Sequence, residues 1–311
     1  MKAAFYMRYG SAEVIEVRDV QPLPEPTRKQ VKVRIAAAAL NPKDLLVRKG
    51  KFRFFTGKKF PLRFGYDFAG TVVEGGGFKP GARVFGMVNG WIGRTVGEEL
   101  FCTPDECVEI PEILSFTDAA GIPLAALTAL QALRDLGNVT KDSRVLINGA
   151  SGGVGVFAIQ IAKALGAKVT TLSSEKNITF CQALGADEAL DYAKDDPFSK
   201  AGAFDVIFDV FGNRTFAKTR KALTPKGVFV STVPSKRIIF DRFKTLLSSK
   251  KAALVVVKSN ARDLIVLRDW IQTGRLRPVI DSEYPLRDVR KAQCRLETKR
   301  ARGKVIVNIL Q

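Results

Sequence analysis

Over residues 1 to about 120, apolar and polar positions alternate in short runs such as KQVKVRIAAAALNP, DFAGTVVEGGGFKPGARVFG and GEELFCTPDECVEI, punctuated by Gly and Pro. Period-two alternation sends successive side chains to opposite faces of a strand, and Gly and Pro interrupt pairing, so this part predicts an antiparallel, barrel-like β-rich domain. At IPLAALTALQALRDLG, a helix opening near Pro123, the rhythm changes. Short apolar runs at RVLING, AKVTTLS, EALDY, FDVIFDVFG, GVFVSTV and AALVVVKS predict strands, with helices over 153–165, 176–184 and 214–222 between the first five and a basic stretch before the sixth. Connections of this length favour parallel pairing with right-handed crossovers, hence a doubly wound α/β sheet. The tail returns to helix, turn, helix and a last strand, KVIVNI, placed to rejoin the first domain. The expected divisions are 1–122, 123–258 and a return over 259–311.

Composition narrows the class. The chain has 311 residues, 46% hydrophobic and 26% charged, which suits about two soluble globular domains. Its start, MKAAFYMRYGSAEVIEV, reads as strand, turn and strand and lacks the long apolar core of a signal peptide. The uncharged run 145–162 is long enough to suggest a membrane span, but a glycine turn splits it into a strand and a helix. Cys102, Cys107, Cys181 and Cys294 have neither CxxC spacing nor the density of a disulfide scaffold, so a reducing, cytoplasmic location is expected. The net charge of +19 bears on association and says nothing of fold. Residues 45–66 interleave Lys49, Lys51, Arg53, Lys58, Lys59 and Arg63 with Phe52, Phe54, Phe55, Phe60 and Phe64, and SKRIIFDRFKTLLSSKK is a second basic stretch. Such mixtures suit contact with an anionic polymer or anionic lipid, and give a competing function as a nucleic-acid or membrane-surface binder. They equally suit a solvated rim whose phenylalanines turn inward.

The chemistry centres on NGASGGVG at 148–155, with four glycines in eight positions between a predicted strand and a predicted helix. Helical spacing puts Val154, Phe157, Ala158, Ile161, Ala162 and Leu165 on one face to pack on the sheet. Unpaired amides and the dipole at the helix N-terminus attract a pyrophosphate, Gly152 lets the backbone approach it, and Gly155 allows close packing of helix on strand. Ala150 stands where the first glycine of G-x-G-x-x-G belongs, with Gly149 before it, so the pattern is a variant, Gly149-x-x-Gly152-x-x-Gly155 enclosing Ser151, Gly153 and Val154. NAD enzymes place an acid at the end of the second strand, about 20 residues on. Here Ser173 and Ser174 fall near that slot, followed by Glu175 and Lys176. Hydroxyls and an ammonium hold a 2′-phosphate that a carboxylate would repel, which favours NADPH. A one-residue shift in register would put Glu175 in the slot and favour NADH.

The whole set resembles the medium-chain dehydrogenase/reductase superfamily. The resemblance rests on LNPKD at 40–44, GYDFAG at 65–70, KPGARVFG at 79–86, AAGIPLAALTALQAL at 119–133, NGASGGVG, LGADEALDY at 184–192, FDVIFDVFG at 204–212, and GRLRPVID and ARGKVIV near the end, in that order. It implies a GroES-like catalytic domain split by a Rossmann domain. Zinc members carry Cys and His where this chain has NPKD and GYD, with Tyr66 in the His slot, and there is no four-Cys lobe. Cys102 and Cys107 alone cannot close a tetrahedral site, so no zinc is expected. Oxidising a plain alcohol needs an activated oxygen. With neither zinc ligands nor any histidine, the expected acceptor is already activated: a quinone or an α,β-unsaturated carbonyl, as in the zinc-independent quinone reductase and 2-alkenal reductase branch.

The resemblance also implies residue roles. Asn41 would lie beside nicotinamide and substrate, Thr128 would contact the cofactor, Tyr192 would lie near the adenosine phosphate, and Ser174 and Lys176 match the 2′-phosphate positions. Phe211 falls where the chain passes the nicotinamide. Read as ordinary structure, Asn41 is a turn residue before Pro42, Thr128 a locally satisfied hydroxyl, Tyr192 a strand-end aromatic and Phe211 core. Tyr66 is a candidate proton or hydrogen-bond donor, or a packing residue. Asp44 is a catalytic candidate, with orienting its loop as the alternative to reacting. The family analogy also suggests a homodimer, formed by edge pairing of the Rossmann sheets.

Overall fold

The six apolar runs after residue 143 form one sheet. In the computed structural model, which describes residues 1–310, they are Arg144–Asn148, Lys168–Ser173, Glu188–Asp191, Phe204–Asp209, Leu223–Ser231 and Lys251–Leu254. Every pairing is parallel, and the order across the sheet is third, second, first, fourth, fifth, sixth. The order reverses between the first and fourth strands, and such a reversal opens a crevice at the carboxyl ends of the strands where ligands bind.

Both faces of this sheet are covered, which is why its strands read as nearly unbroken apolar runs. Leu146, Leu172, Ile207 and Phe229 pack on one side with Phe198, Ala222 and Ile238. The helix after the glycine turn, Gly155–Ala164, is buried from Gly155 through Ala162. Only its last turn reaches solvent, at Lys163: Val156 and Ile159 are as buried as the predicted Phe157, Ala158, Ile161 and Ala162, while Val154 and Leu165 flank the helix. Other helices are shorter than predicted. The segment 176–184 is a 3₁₀ turn, Glu175–Asn177, leading into Ile178–Ala183, and 214–222 contains only Phe216–Thr219. The basic stretch forms a helix, Lys236–Lys244, whose first turn is capped by Ser235 Oγ accepting from Ile238 N at 3.2 Å.

These strands belong to a unit made of Ala125–Val257 and Gly274–Arg277. A second unit comprises Met1–Leu124, Lys258–Thr273 and the chain from Pro278 on. Its long strand Val31–Leu40 pairs antiparallel with Asp67–Gly75, Glu99–Cys102 and the last strand, Lys304–Asn308. The chain's end thus rejoins its beginning, as the tail pattern predicts. Asp67–Gly75 continues to Arg83–Met87 and then Cys107–Glu109, also antiparallel. A strand at Ile280–Pro285 lies parallel to the last one; its polar Asp281, Ser282 and Glu283 hid it from the alternation test. A separate sheet pairs Lys2–Tyr6 with Ile15–Asp19 and Leu62–Arg63. No described helix is long and apolar enough to cross a membrane.

Candidate active site: a dinucleotide cradle and a buried polar cluster

The glycine turn begins where the first strand of the parallel sheet ends. Gly149 has φ of +86°, a backbone that L side chains rarely adopt. A Cβ on Gly155 would lie 2.3 Å from Gly149 O and 2.5 Å from Ala150 O, so its glycine is required by the turn folding back on its own helix. Gly152 differs, since a Cβ there would meet only Gly149 O, at 3.6 Å. The protein alone has room for a side chain at 152. Val156 N closes onto Gly152 O at 3.0 Å, which leaves the amides of Gly153, Val154 and Gly155 ahead of the helical ladder. This is a cradle for an anion that fits a dinucleotide pyrophosphate.

Ala150 is wholly buried within the turn, and Ser151 is tied by Asn177 Nδ2, which donates to Ser151 Oγ at 2.9 Å and to Ser174 Oγ at 3.1 Å. Asn177 thus fastens the glycine turn to the end of the second strand. Sequence reading missed it, because an Asn there carries no signal of its own. Its Oδ1 is buried without a hydrogen-bond partner among the described residues. Ser173 is buried, with Oγ donating to Ser174 O at 3.4 Å. Half-exposed Ser174 and exposed Glu175 and Lys176 are the outward polar groups of the slot. Glu175 pairs with Lys194 at 2.7 Å in a solvent-exposed ion pair, which draws its carboxylate toward the third strand without removing its charge. Tyr192 is exposed at the end of the third strand, where its N donates to Ser173 O at 3.0 Å.

Phe211 is not core: it is 52% exposed and lies against Gly149, whose Cβ would fall 2.9 Å from that of Phe211. Its loop is fastened by Asn148, whose Nδ2 donates to Asp209 Oδ1 and Asn213 Oδ1, both at 2.7 Å. Asp209 also accepts from Gly212 N and Arg214 N at 3.0 Å; burial raises its pKa against these bonds, which lower it. Thr128 is buried on the helix Pro123–Leu130.

The NPKD and GYD motifs meet in the other unit. Asn41 is the N-cap of the helix Pro42–Arg48, with Pro42 at its first position, where a missing N–H costs nothing. Asp44, fully buried, accepts from Asn41 N through Oδ2 and from Gly65 N through Oδ1, each at 2.8 Å, and so pins the GYD loop to the helix start. Burial pushes its pKa up to about 7, opposed by those two amide donors. Asn41 itself is buried: Nδ2 donates to Asp67 Oδ2 at 3.0 Å and Ala39 O at 3.3 Å, and Oδ1 accepts from Lys304 Nζ at 2.6 Å. Lys304 also reaches Asp67 Oδ2 at 3.1 Å, and Asp67 Oδ1 accepts from Leu124 N at 2.7 Å. Lys304, in ARGKVIV, and Asp67, in GYDFAG, carry no functional signal in the sequence, because neither residue type is diagnostic without its partner.

Tyr66 is buried and its hydroxyl donates to Trp91 O at 2.6 Å. Burial, helped by the nearby Asp44 charge, raises its pKa far above the ordinary phenol value. The bond to Trp91 O commits the hydroxyl hydrogen to a carbonyl and ties the GYD loop to the backbone at Trp91. These positions do not fit a zinc ion. An ammonium already lies against Asp67 and Asn41, putting a fixed positive charge where a cation would have to bind, and no group of three or more His, Cys, Asp or Glu suited to a metal occurs among the described residues. Of the phenylalanines at 52–64, Phe64 stacks on Tyr6 in the core with centroids 4.1 Å apart, Phe52 and Phe60 are half-buried, and Phe54 and Phe55 are exposed.

Comparison with known proteins agrees with this architecture. Residues 27–112 match the alcohol dehydrogenase GroES-like domain, and residues 184–307 match the zinc-binding dehydrogenase family. The chain is 31% identical to the chloroplast envelope quinone oxidoreductase homolog of Arabidopsis thaliana, covering 99% of this chain and 98% of that one. It is 33% identical to the chloroplastic NADPH-dependent alkenal/one oxidoreductase of the same plant, over 99% of this chain and 79% of that one. The solved structure of the quinone oxidoreductase from Coxiella burnetii superposes with a TM-score of 0.89 at 30% identity, with 99% of each chain covered. The chain belongs to the medium-chain dehydrogenase/reductase superfamily, among relatives that include quinone oxidoreductases and alkenal/one reductases. It is an oxidoreductase that works with a nicotinamide cofactor on a small-molecule substrate.

Proposed function

We propose that the protein is a zinc-independent reductase that uses NADPH to reduce quinones or α,β-unsaturated carbonyls. The observation that carries this reading is the cradle at 149–155 with Ser174 and Lys176 beside it and Glu175 paired off to Lys194. The Gly152–Gly155 backbone would hold the pyrophosphate, Ser174 and Lys176 the 2′-phosphate, and Thr128, Tyr192 and Phe211 would flank the rest of the dinucleotide. When bound, the dihydronicotinamide supplies a hydride. The chain's own task is to hold a conjugated acceptor and to stabilise the negative charge that forms on its oxygen. Names borne by relatives, quinone oxidoreductase and alkenal/one oxidoreductase, support the acceptor class.

The test is NADPH oxidation by purified protein with quinones and 2-alkenals. NADPH should exceed NADH in kcat/KM by tenfold or more, and Lys176→Glu should erase that preference, since one charge-assisted hydrogen bond contributes about 1.5–3 kcal/mol. Failure to oxidise either dinucleotide with any acceptor would reject the reading.

We further propose a homodimer in a reducing, cytoplasmic setting. Lys251–Leu254 is an edge strand, and exposed Leu246, Leu247 and Val256 adjoin it; such an edge is normally covered. All four cysteines are free thiols. Light scattering should give twice the chain mass, and a single-chain mass at micromolar concentration would count against the dimer.

A further inference from the structure

Lys43, the third residue of the NPKD motif, has no part in the cluster that occupies its neighbours. Its Nζ lies 3.8 Å from the centroid of the Tyr66 ring, over its face, and 5.8 Å from that of Trp91, and it donates to Gly90 O at 2.7 Å. The other two ammonium hydrogens have no partner among the described residues. Beside it stands a flat aromatic wall: Phe55 stacks on Trp91 with centroids 4.0 Å apart and planes within 7°, and Phe52 packs on Trp91 at 5.4 Å. Both Phe55 and Trp91 are exposed. Tyr66 supports the arrangement twice, with its ring beneath the ammonium and its hydroxyl fixing the backbone at Trp91.

We infer that Lys43 is the hydrogen-bond donor to the acceptor's carbonyl oxygen, and that the Phe55–Trp91 wall stacks the acceptor's conjugated plane. This rests on the proposed reductase function and narrows its substrates to flat conjugated carbonyls. In the proposed reduction, hydride supplied by the bound cofactor to the far carbon of the conjugated system would push the π electrons onto the acceptor's oxygen, where Lys43 would hold the charge until water protonates the enolate or hydroquinone anion. Lys43 stabilises that anion without itself losing a proton. A half-buried ammonium suits the task because part of its hydration shell is already stripped, as the lowering of its pKa by burial reflects, while the Asp44 carboxylate pulls the other way. An ammonium also has what the neighbouring phenol lacks, an uncommitted donor hydrogen.

Two readouts test this on the whole protein. In steady-state assays with NADPH and 1,4-naphthoquinone or a 2-alkenal, Lys43→Met should lose about a hundredfold in kcat while keeping its NADPH affinity, and Lys43→Arg should stay within tenfold of wild type. In binding assays with 4-nitrophenol, whose absorbance separates phenol from phenolate, wild type and Lys43→Arg should raise the phenolate fraction over that in free solution, and Lys43→Met should not. Wild-type rates in Lys43→Met, or equal phenolate fractions in all three proteins, would overturn the assignment. An inert wild type that still favours the phenolate would reject the reductase reading and leave Lys43 as an oxyanion site.

Discussion

Replacing Gly152 by valine is expected to cost at least a hundredfold in NADPH affinity while leaving the thermal midpoint within a few degrees of wild type. A Cβ at 152 meets only Gly149 O, at 3.6 Å, so the protein accepts the side chain where it stands. The same side chain would occupy the space in front of the Gly153, Val154 and Gly155 amides, where the pyrophosphate must come. A hundredfold is about 2.7 kcal/mol, in the range for losing close backbone contact with a charged group. Gly155→Ala supplies the contrast. Its Cβ would press to 2.3 Å of Gly149 O, so that variant should lose stability together with binding. Calorimetric titration and thermal melts of the two variants, run side by side, separate a ligand's requirement for glycine from the fold's. If Gly152→Val bound NADPH like wild type, the pyrophosphate could not lie where we place it.

Lys304→Met should be the most destabilising single change in the polar cluster, lowering the unfolding free energy by about 3–5 kcal/mol. Lys304 and Asp67 side chains are 3% and 0% exposed, so removing the ammonium strands a buried carboxylate, with Asn41 Nδ2 and Leu124 N left as its donors among the described residues. The double variant Lys304→Met/Asp67→Asn should recover at least half the loss, because the cost comes from an uncompensated charge more than from a missing attraction. Denaturant unfolding of the wild type, both single variants and the double variant measures this cycle. A loss under 1 kcal/mol in Lys304→Met would mean that the pair is not charged as drawn.

The parts legible in the sequence were those governed by local rules. The parallel strands announced themselves as apolar runs because both of their faces are covered, and the glycine turn because Gly149 and Gly155 answer backbone constraints that no other residue meets. The slot at 173–176 could be read because its distance from the turn follows from a strand and a helix of ordinary length. What depended on contacts between distant segments could not be read. Lys304 acquires its meaning only when the last strand pairs beside Val31–Leu40, more than 260 residues away in sequence from Asn41. Asn177 carries no signal of its own in the sequence, and its role rests on an amide that bridges Ser151 and Ser174 from separate segments. Tyr66 is the only obvious phenol in the NPKD and GYD motifs, which suits a donor or a packing residue equally, and only the geometry shows its hydroxyl bonded to Trp91 O. The burial of both faces over residues 155–162 was hidden for a similar reason, since a one-faced pattern says nothing about what covers the other face.

The account depends most on the mouth of that helix holding the diphosphate of a nicotinamide dinucleotide. Isothermal calorimetry of the purified wild type with NADPH tests this directly. It should show one dinucleotide per chain with micromolar or tighter affinity, weakened by free pyrophosphate in competition. No heat of binding with either NADPH or NADH, at protein concentrations where a micromolar site would saturate, would contradict it.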